Sequence, residues 1–389
     1  MQRKTRGRIS LLLAGILLLT TVFSACGSEE TPTDTSGEPT SGAISGMTTL
    51  PDGSGTLSEI PIGVTTGTTA ATEPPVRPSG IHFLTGLPVA DESLNSARPV
   101  AVVFNNLRIA LPQHGIGAAD LVFEVEAEGG ITRLVAVYSD IAAVGTIGSV
   151  RSARPVMINI AMGLDCVFVH SGGSPQAYSD LSAYSVTDID GLYDGGAVFY
   201  RDSGRANSMG YEHALMTTGS RLSSKLDKLA AQGTRVSLDS GYAVPFAFNE
   251  ADTAPTGGSA AAKVTTKYGS YQPFFRYDEA SGNYQRYQYG AKHIDNNTGE
   301  QLSFKNVVVL SVKSSVIKGD AAGRRQFSDV GSGSGLYATD GVSVPIKWSK
   351  ASAAAPLKLT YEDGTELKLN PGKTFLSYVN GMENATVGN

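Results

Sequence analysis

Cysteine is scarce in this sequence, because its 389 residues include only Cys26 and Cys166. If Cys26 is modified near the N-terminus, Cys166 has no partner within the chain, so stability must come from apolar cores rather than disulfides. Basic blocks and alternating basic and aromatic residues are also missing, and the formal net charge is only -5. This composition argues against nucleic acid as a partner.

The N-terminus combines a basic start with one uncharged apolar run, Ile9 to Phe23. About 15 helical residues rise only about 22 Å, which is short of the ~30 Å hydrocarbon core of a bilayer. The run ends in Phe23-Ser24-Ala25-Cys26-Gly27, which resembles a bacterial lipobox. We therefore expect residues 1–25 to be a signal peptide and Cys26 to carry lipid at the outer face of the cytoplasmic membrane. The alternative is an ordinary secretory signal with a chance cysteine.

Aromatic residues are absent from the segment between Gly27 and Gly80, which is rich in Ser, Thr, Gly and Pro. Such a segment cannot bury a core, so residues 26–80 are predicted to form a disordered tether. A flexible chain of about 50 residues has a root-mean-square reach of about 40 Å. We expect the folded part to begin near Ile81 and to divide into two domains, residues 81–240 and 241–389.

The first folded half has a mixed α/β pattern, in which β-branched runs alternate with short helical segments. Its strands are predicted at Val100–Phe104, Leu121–Glu126, Leu134–Tyr138, Cys166–His170 and Val198–Arg201, and its helices at Pro155–Met162, Gln176–Tyr184 and Thr218–Gln232. The second half is β-rich and shows no long helix. Its strands are predicted at Phe274–Tyr277, Tyr284–Tyr287, Val307–Leu310, Pro345–Trp348, Leu357–Tyr361 and Phe375–Val379.

Several long motifs are spread over residues 97–380: Ala97 to Val102, Ala119 to Val125, Glu128 to Arg133, Gly148 to Pro155, His170 to Pro175, Asp190 to Leu192 and Leu369 to Thr374. On these motifs the sequence resembles the YerB-like family of bacterial lipoproteins. The resemblance implies a first domain of the three-layer ββα type and a smaller β-rich second domain. Both are domains of unknown function, so the resemblance implies no activity and no cofactor.

Strand alternation places Glu124 and Glu126 on one face, with their Cα atoms roughly 7 Å apart. That separation is compatible with the paired acids of glycoside hydrolysis. Glu128 precedes a Gly-Gly turn, and Arg133 beyond it could pair with Glu124 or Glu126. The alternative to paired catalysis is therefore a structural ion pair.

Arg151 and Arg154 lie between a glycine-containing segment, Gly145 to Gly148, and the predicted start of a helix at Pro155. Guanidinium groups together with helix N–H groups favour a phosphate or carboxylate. Arg201 and Arg205 could converge on them from another strand end. The alternative is that these arginines satisfy Glu124, Glu126, Asp190 and local backbone carbonyls.

His170 follows an apolar strand and begins a Ser-Gly-Gly-Ser-Pro loop, a position where sheets present functional side chains. Ser171 or Ser174 with His213 as base is a possible catalytic arrangement, although the loop lacks the form of a hydrolase elbow. A metal site at His170, Asp190 and His213 is another, but no close histidine spacing supports it, and we expect no metal. In the second half, His293 and Asp295 share one face, and a local hydrogen bond is the simplest explanation.

These patterns favour a binding module for an anionic cell-envelope ligand or a partner surface protein. The alternative is a hydrolase or transferase that acts on cell-wall glycan or peptide and uses Glu126 or Glu128 with His170. The candidate residues are Glu126, Glu128, Arg133, Arg151, Arg154, His170, Asp190 and Arg201, with His293 and Asp295 in the second half. We predict that Glu126, Glu128, Arg151, Arg154 and His170 meet at the ends of neighbouring strands.

Overall fold

A computed structural model describes residues 79–89 and 91–388 of the chain. The predicted signal peptide, Cys26 and residues 26–78 of the predicted tether lie outside the described residues. Folded structure is present from the first described residues, where Ile81 bridges to Pro88.

Most regular structure in the described part is β-strand. The strands are β1 (Val100–Asn105), β2 (Leu121–Glu128), β3 (Ile131–Tyr138), β4 (Thr146–Gly148), β5 (Val167–His170), β6 (Asp188–Asp190), β7 (Tyr200–Arg201), β8 (Leu215–Thr218), β9 (Ala247–Phe248), β10 (Ser259–Ala260), β11 (Lys263–Thr266), β12 (Phe274–Asp278), β13 (Asn283–Gln288), β14 (Ala291–Lys292), β15 (Ser303–Phe304), β16 (Asn306–Ser311), β17 (Ser314–Val316), β18 (Arg325–Phe327), β19 (Gly331–Thr339), β20 (Val342–Lys350), β21 (Lys358–Tyr361), β22 (Lys368–Leu369), β23 (Thr374–Val379) and β24 (Ala385–Gly388). Each predicted strand is confirmed, within a few residues at its ends.

The helices are α1 (Pro155–Gly163), α2 (Pro175–Ala183), α3 (Ser203–Met209) and α4 (Gly219–Ala231). Proline at the first position starts α1 and α2, and the Thr218 hydroxyl caps α4 by accepting from Arg221 N. The three predicted helices are confirmed, whereas α3 was not predicted. Single 3₁₀ turns lie at Glu92–Asn95, Arg108–Ala110, Ile116–Ala118, Tyr211–His213 and Met382–Asn384. In the described range, no helix has the length and apolar character needed to cross a membrane.

One large sheet contains strands from both halves of the chain. Its strand order is β10-β20-β19-β16-β23-β2-β3-β1-β5-β6, and β21 pairs with β20. The halves meet where β2 lies parallel to β23, with Leu121 opposite Thr374 and Glu124 opposite Ser377. Backbone hydrogen bonds therefore join the first half and the second half of the chain in one continuous sheet.

Apolar side chains form a core on each face of this sheet. On one face, Phe123 and Phe168 pack with Met157 of α1 and Leu181 of α2. On the other face lies a second sheet of order β14-β13-β12-β11-β24, with β15 on β13. The core on that face includes Phe275, Phe304, Phe375, Leu222 and Val122.

The described part is mostly β with few helices and contains sheets in both halves. It is richer in strand than the expected α/β class with a ββα first domain, because the sheet continues through both halves. The three-layer ββα arrangement is not confirmed. The boundary between residues 240 and 241 stays a prediction.

Candidate functional site

The Glu124 carboxylate is buried in a polar network that joins the two halves. It lies 2.9 Å from Arg286 Nη2, and both side chains have no exposed surface. The Thr132 hydroxyl donates to its other oxygen at 2.8 Å, and Asn106 Nδ2 donates at 3.2 Å. Burial lowers the pKa of Arg286, but Glu124 and Tyr271 outweigh this effect and hold that pKa above its usual value. Glu124 therefore stabilises a buried cation and is closed to a substrate.

Glu126 makes a different ion pair, so the two acids of the predicted catalytic pair have separate partners. Its carboxylate lies 3.2 Å from Arg325 Nε and accepts from Gly130 N at 2.9 Å. The expectation that Arg133 pairs with Glu124 or Glu126 is wrong. Arg133 lies opposite Val125, so its side chain is on the other face of the sheet from Glu124 and Glu126. A bulge interrupts the two-residue alternation only beyond Glu126, before Glu128.

Glu128 is held between two arginines. Its Oε1 lies 2.7 Å from Arg133 Nη2, and its Oε2 lies 2.8 Å from Arg154 Nη2. Burial lowers the pKa of Arg133, and the nearby Arg154 lowers it further. Arg133 Nη1 also donates to Ser152 O at 3.0 Å. This triad brings three predicted residues together in a mostly buried cluster, in which the single carboxylate of Glu128 is paired with two guanidinium groups.

His170 and Asp190 lie side by side because β5 and β6 are parallel neighbours with these residues in register. His170 has no exposed surface; its Nδ1 donates to Gly172 O at 2.9 Å, and its Nε2 lies 3.0 Å from Asp188 Oδ2. Asp190 accepts from Gly172 N at 2.8 Å and from Leu192 N at 3.0 Å. Both residues therefore fix the loops that follow their strands.

A cavity of about 370 Å³ lies beyond these strand ends. Its lining includes Arg151, Ser152, Ser171, Arg201, Tyr211 and Glu212. A position at the carboxyl ends of parallel strands is where open α/β sheets commonly bind ligands.

Backbone carbonyls position the two arginines of this cavity. Arg151 Nη1 donates to Glu212 O at 3.0 Å, and Arg201 Nη1 donates to Tyr211 O at 2.6 Å. The Arg201 guanidinium also lies 3.9 Å from the centroid of the Tyr211 ring. Among the described residues, neither guanidinium has a carboxylate oxygen within 4.0 Å. Because a guanidinium carries five N–H donors, each retains donors for a ligand.

Glu212 is the acidic residue that lines the cavity. A backbone hydrogen bond lowers the pKa of its carboxyl, as do His213, Arg151 and Arg201. Its side chain is 61% exposed, and its Oε1 lies 3.5 Å from His213 Nε2. Two arginines against one largely solvated carboxylate leave the cavity with a net positive character.

The predicted residues thus divide into separate sites. Glu128, Arg133 and Arg154 form one cluster, whereas Arg151 and Arg201 line the cavity and Glu126 pairs with Arg325. His213 Nδ1 lies 2.7 Å from Asn105 Nδ2. In the part of the chain that the structure describes, no group of three His, Cys, Asp or Glu residues could hold a metal ion.

His293 and Asp295 make no local hydrogen bond to each other but contact the first half of the chain. His293 Nδ1 accepts from Arg286 Nε at 3.1 Å, and its Nε2 donates to Gln113 Oε1 at 2.7 Å. Burial and Arg286 lower the pKa of His293 well below its usual range. The Asp295 carboxylate accepts from Gly115 N at 3.0 Å and from Gly117 N at 2.6 Å. Both residues are structural links between the halves.

Sequence reasoning missed Arg286 and the rim of the cavity. Alternation along β13 buries Tyr284, Arg286 and Gln288 on one face, so that pattern could have indicated a buried arginine. Tyr211 and Glu212 lie in a single 3₁₀ turn. That turn carries no periodic signal.

Two family models match the chain. The N-terminal domain of "Protein of unknown function (DUF3048)" matches residues 84–232, and its C-terminal domain matches residues 263–376. The curated protein "Putative lipoprotein YerB" of Bacillus subtilis (strain 168) is 29% identical over 309 residues, which cover 78% of this chain and 87% of the relative. The chain belongs to the YerB-like family of bacterial lipoproteins.

A solved structure of the YerB-like family has the same overall fold. The crystal structure of YerB protein from Bacillus subtilis matches with a TM-score of 0.69 and 27% identity. The match covers 79% of this chain and 99% of that one. Because both family domains are described as being of unknown function, the activity has to be argued from the chemistry of the site.

Proposed function

We propose that this chain is a lipid-anchored extracytoplasmic protein that binds an anionic cell-envelope ligand between Arg151 and Arg201. The observation that carries the proposal is the cavity in which both guanidinium groups lie without an ion pair among the described residues. Partly desolvated cations gain most from a partner of opposite charge, and guanidinium groups suit carboxylate and phosphate oxygens.

The predicted catalytic groups support binding rather than chemistry. Glu126 and Glu128 are each paired with arginine, and His170 has no exposed surface. A general acid or base needs a raised or poised pKa and access to the substrate. The contacts of these residues therefore give no support to the alternative of a hydrolase or transferase that acts on cell-wall glycan or peptide.

Ligand binding can be tested with the detergent-solubilised full-length chain. We expect muramyl peptides or teichoic-acid fragments to raise its melting temperature, because a ligand selective for the native state stabilises that state. Arg151→Ala should lower the affinity for the selected ligand by about 10- to 150-fold. This change corresponds to the loss of a charge-assisted hydrogen bond of about 1.5 to 3 kcal/mol. Isothermal titration calorimetry measures the change.

Arg276 offers a matched control, because it is exposed on β12 and outside the cavity. Arg276→Ala should bind as the wild type does. Wild-type affinity in both Arg151→Ala and Arg201→Ala would refute the cavity as the binding site. Binding only to a surface protein, with loss in Arg151→Ala, would replace the envelope ligand by a protein partner.

The anchor is proposed from Cys26, which lies outside the described residues. Several acyl chains, each contributing about 0.8 kcal/mol per buried CH₂, would hold the protein at the bilayer without a spanning segment. The cavity would then face the envelope from the end of the predicted tether.

Cys26→Ala should move the mature protein from the membrane fraction to the soluble fraction, or leave it held only by an uncleaved signal. Immunoblotting of cell fractions and mass spectrometry of the N-terminus measure this result. Cys166→Ala is the matched control, because Cys166 is buried in the fold and should not affect anchoring. A correctly processed Cys26→Ala protein that stays on membranes would overturn the anchor.

A further inference from the structure

Three large apolar or aromatic side chains are exposed around the mouth of the Arg151–Arg201 cavity. Leu192 is 59% exposed, Tyr193 is 77% exposed and Tyr211 is 67% exposed. Leu192 and Tyr211 line the cavity, and the Tyr193 ring lies 6.4 Å from that of Tyr178, another lining residue. Single exposed apolar residues are ordinary, but a group around one concave site indicates an interaction surface.

The backbone that presents Leu192 and Tyr193 is held in place. Leu192 N and Tyr193 N both donate to Asp190, and Asp190 N donates to Asp194 Oδ2 at 2.7 Å. Asp194 in turn pairs with Lys225 of α4 at 2.6 Å. Side chains on a fixed loop lose little conformational freedom when a ligand binds.

Tyr211 lines the cavity, and two thirds of its side chain is exposed. The Arg201 guanidinium covers one face of the ring, 3.9 Å from the ring centroid. The exposed part of the ring is available to a flat ligand. The electron-rich face of an aromatic ring attracts polarised C–H groups such as those on one side of a sugar ring.

Hydroxyl groups complete the donor set of the cavity. Ser152 and Ser171 line it, and their Oγ atoms make no hydrogen bond within the described residues. A simple anion would use only the two arginines. A sugar that carries an acid group would use the arginines, the hydroxyls and the aromatic face together.

We infer that the cavity binds an acidic saccharide, with the sugar ring on Tyr211, its hydroxyls at Ser152 and Ser171, and its acid group at Arg151 and Arg201. This inference rests on the proposed function and deepens it by naming the ligand class. The cavity volume of about 370 Å³ lies within the range of small-ligand sites, about 300 to 1,000 Å³.

The test uses three probes with the detergent-solubilised full-length chain. The disaccharide of N-acetylglucosamine and N-acetylmuramic acid carries both sugar and acid. N,N′-Diacetylchitobiose has the same N-acetylated sugar rings without the lactyl acid, and lactate has the acid without the sugar. We expect the acidic disaccharide to bind at least about tenfold more tightly than either of the others, measured by NMR titration.

Tyr211→Ala should weaken binding of the acidic disaccharide about tenfold more than it weakens binding of lactate. The ring contacts both the sugar and Arg201, whereas the backbone carbonyl that positions Arg201 remains in the variant. Tyr211→Phe keeps the ring and should bind as the wild type does. Tyr193→Ala removes a second exposed ring, for which the described residues show no contact with Arg201. We expect it to lower the affinity for the acidic disaccharide less than Tyr211→Ala does.

The outcomes separate this inference from the proposed function. If Arg151→Ala weakens every acid but Tyr211→Ala changes nothing, the saccharide is wrong and the anion site stands. If glycerol phosphate binds more tightly than the acidic disaccharide, the ligand is a phosphate polymer and the inference fails. If no acid binds, both the inference and the proposed function fail.

Discussion

Two groups of arginines differ in burial and in the type of partner they contact. Arg286 is fully buried and contacts Glu124, Tyr271 and His293, whereas Arg151 and Arg201 are partly exposed and contact backbone carbonyls. The first arrangement pairs a buried guanidinium with a buried carboxylate. The second leaves charge available at a cavity, and the difference distinguishes a structural arginine from a candidate ligand-binding arginine.

Removing the buried partner should have the largest effect on stability. Arg286→Met leaves Glu124 buried without a cation, and we expect the free energy of unfolding to fall by about 3 to 5 kcal/mol. Urea unfolding of the chain without its first 25 residues measures the change. Arg276→Met, on the exposed face of the neighbouring strand β12, should cost less than about 0.5 kcal/mol.

The double variant Glu124→Leu/Arg286→Met sharpens this result. It removes both charges, so we expect it to recover much of the lost stability. Equal stability of Arg286→Met and Arg276→Met would contradict the structural role of the buried pair.

Arg154→Ala should have an intermediate effect, because Arg154 is largely buried against Glu128 but Arg133 remains as a second partner. We expect a loss of about 1.5 to 3 kcal/mol in the free energy of unfolding, the range for hydrogen bonds to charged groups. Arg151→Ala should lose less than about 0.5 kcal/mol in the same urea experiment. Similar urea midpoints for the two variants would contradict a structural role for Arg154 beside Glu128 and a ligand-binding role for Arg151 in the cavity.

Lys350 is a buried cation that has no carboxylate oxygen within 4.0 Å among the described residues. Its Nζ donates to Ala355 O, and burial lowers its pKa to about 8, with Asp329 opposing the shift. Below pH 8 both states hold the proton, and the folded state bears the full cost of a buried charge. Between about pH 8 and 10.5 only the unfolded chain keeps it, so the free energy of unfolding rises with pH.

Lys350→Met should abolish this rise and stabilise the protein below pH 8 by roughly 1 to 3 kcal/mol. The difference between the urea midpoints of wild type and variant, followed from pH 6 to about pH 11, isolates this group. A difference that does not change with pH would show that Lys350 is not the titrating group.

Much of the secondary structure could be predicted because local patterns determine it. Alternating apolar residues located β2, aromatic residues located β13, and Pro155 with Thr218 located the starts of two helices. The glycine-rich strand β19 was missed, because Gly-Ser repeats have low strand propensity. Its glycines permit close packing instead: a Cβ on Gly333 would lie 2.6 Å from Trp348 Nε1.

The candidate site was less predictable because its partners are distant in sequence. Arg151 was located by its glycine-rich approach and helix start, which are local features. The partner of Glu124 lies 162 residues away, and a bulge between Glu126 and Glu128 shifts the register of β2. Neither long-range pairing nor bulge position follows from composition or periodicity.

The parallel pairing of β2 with β23 also constrains when the protein can finish folding. The two strands are about 250 residues apart along the chain. Under the proposed export, β2 crosses the membrane well before β23 does. Throughout that interval one edge of β2 has no neighbour, and unpaired strand edges attract other chains. Factors that shield the chain as it emerges from the membrane should therefore matter most between the appearance of β2 and that of β23.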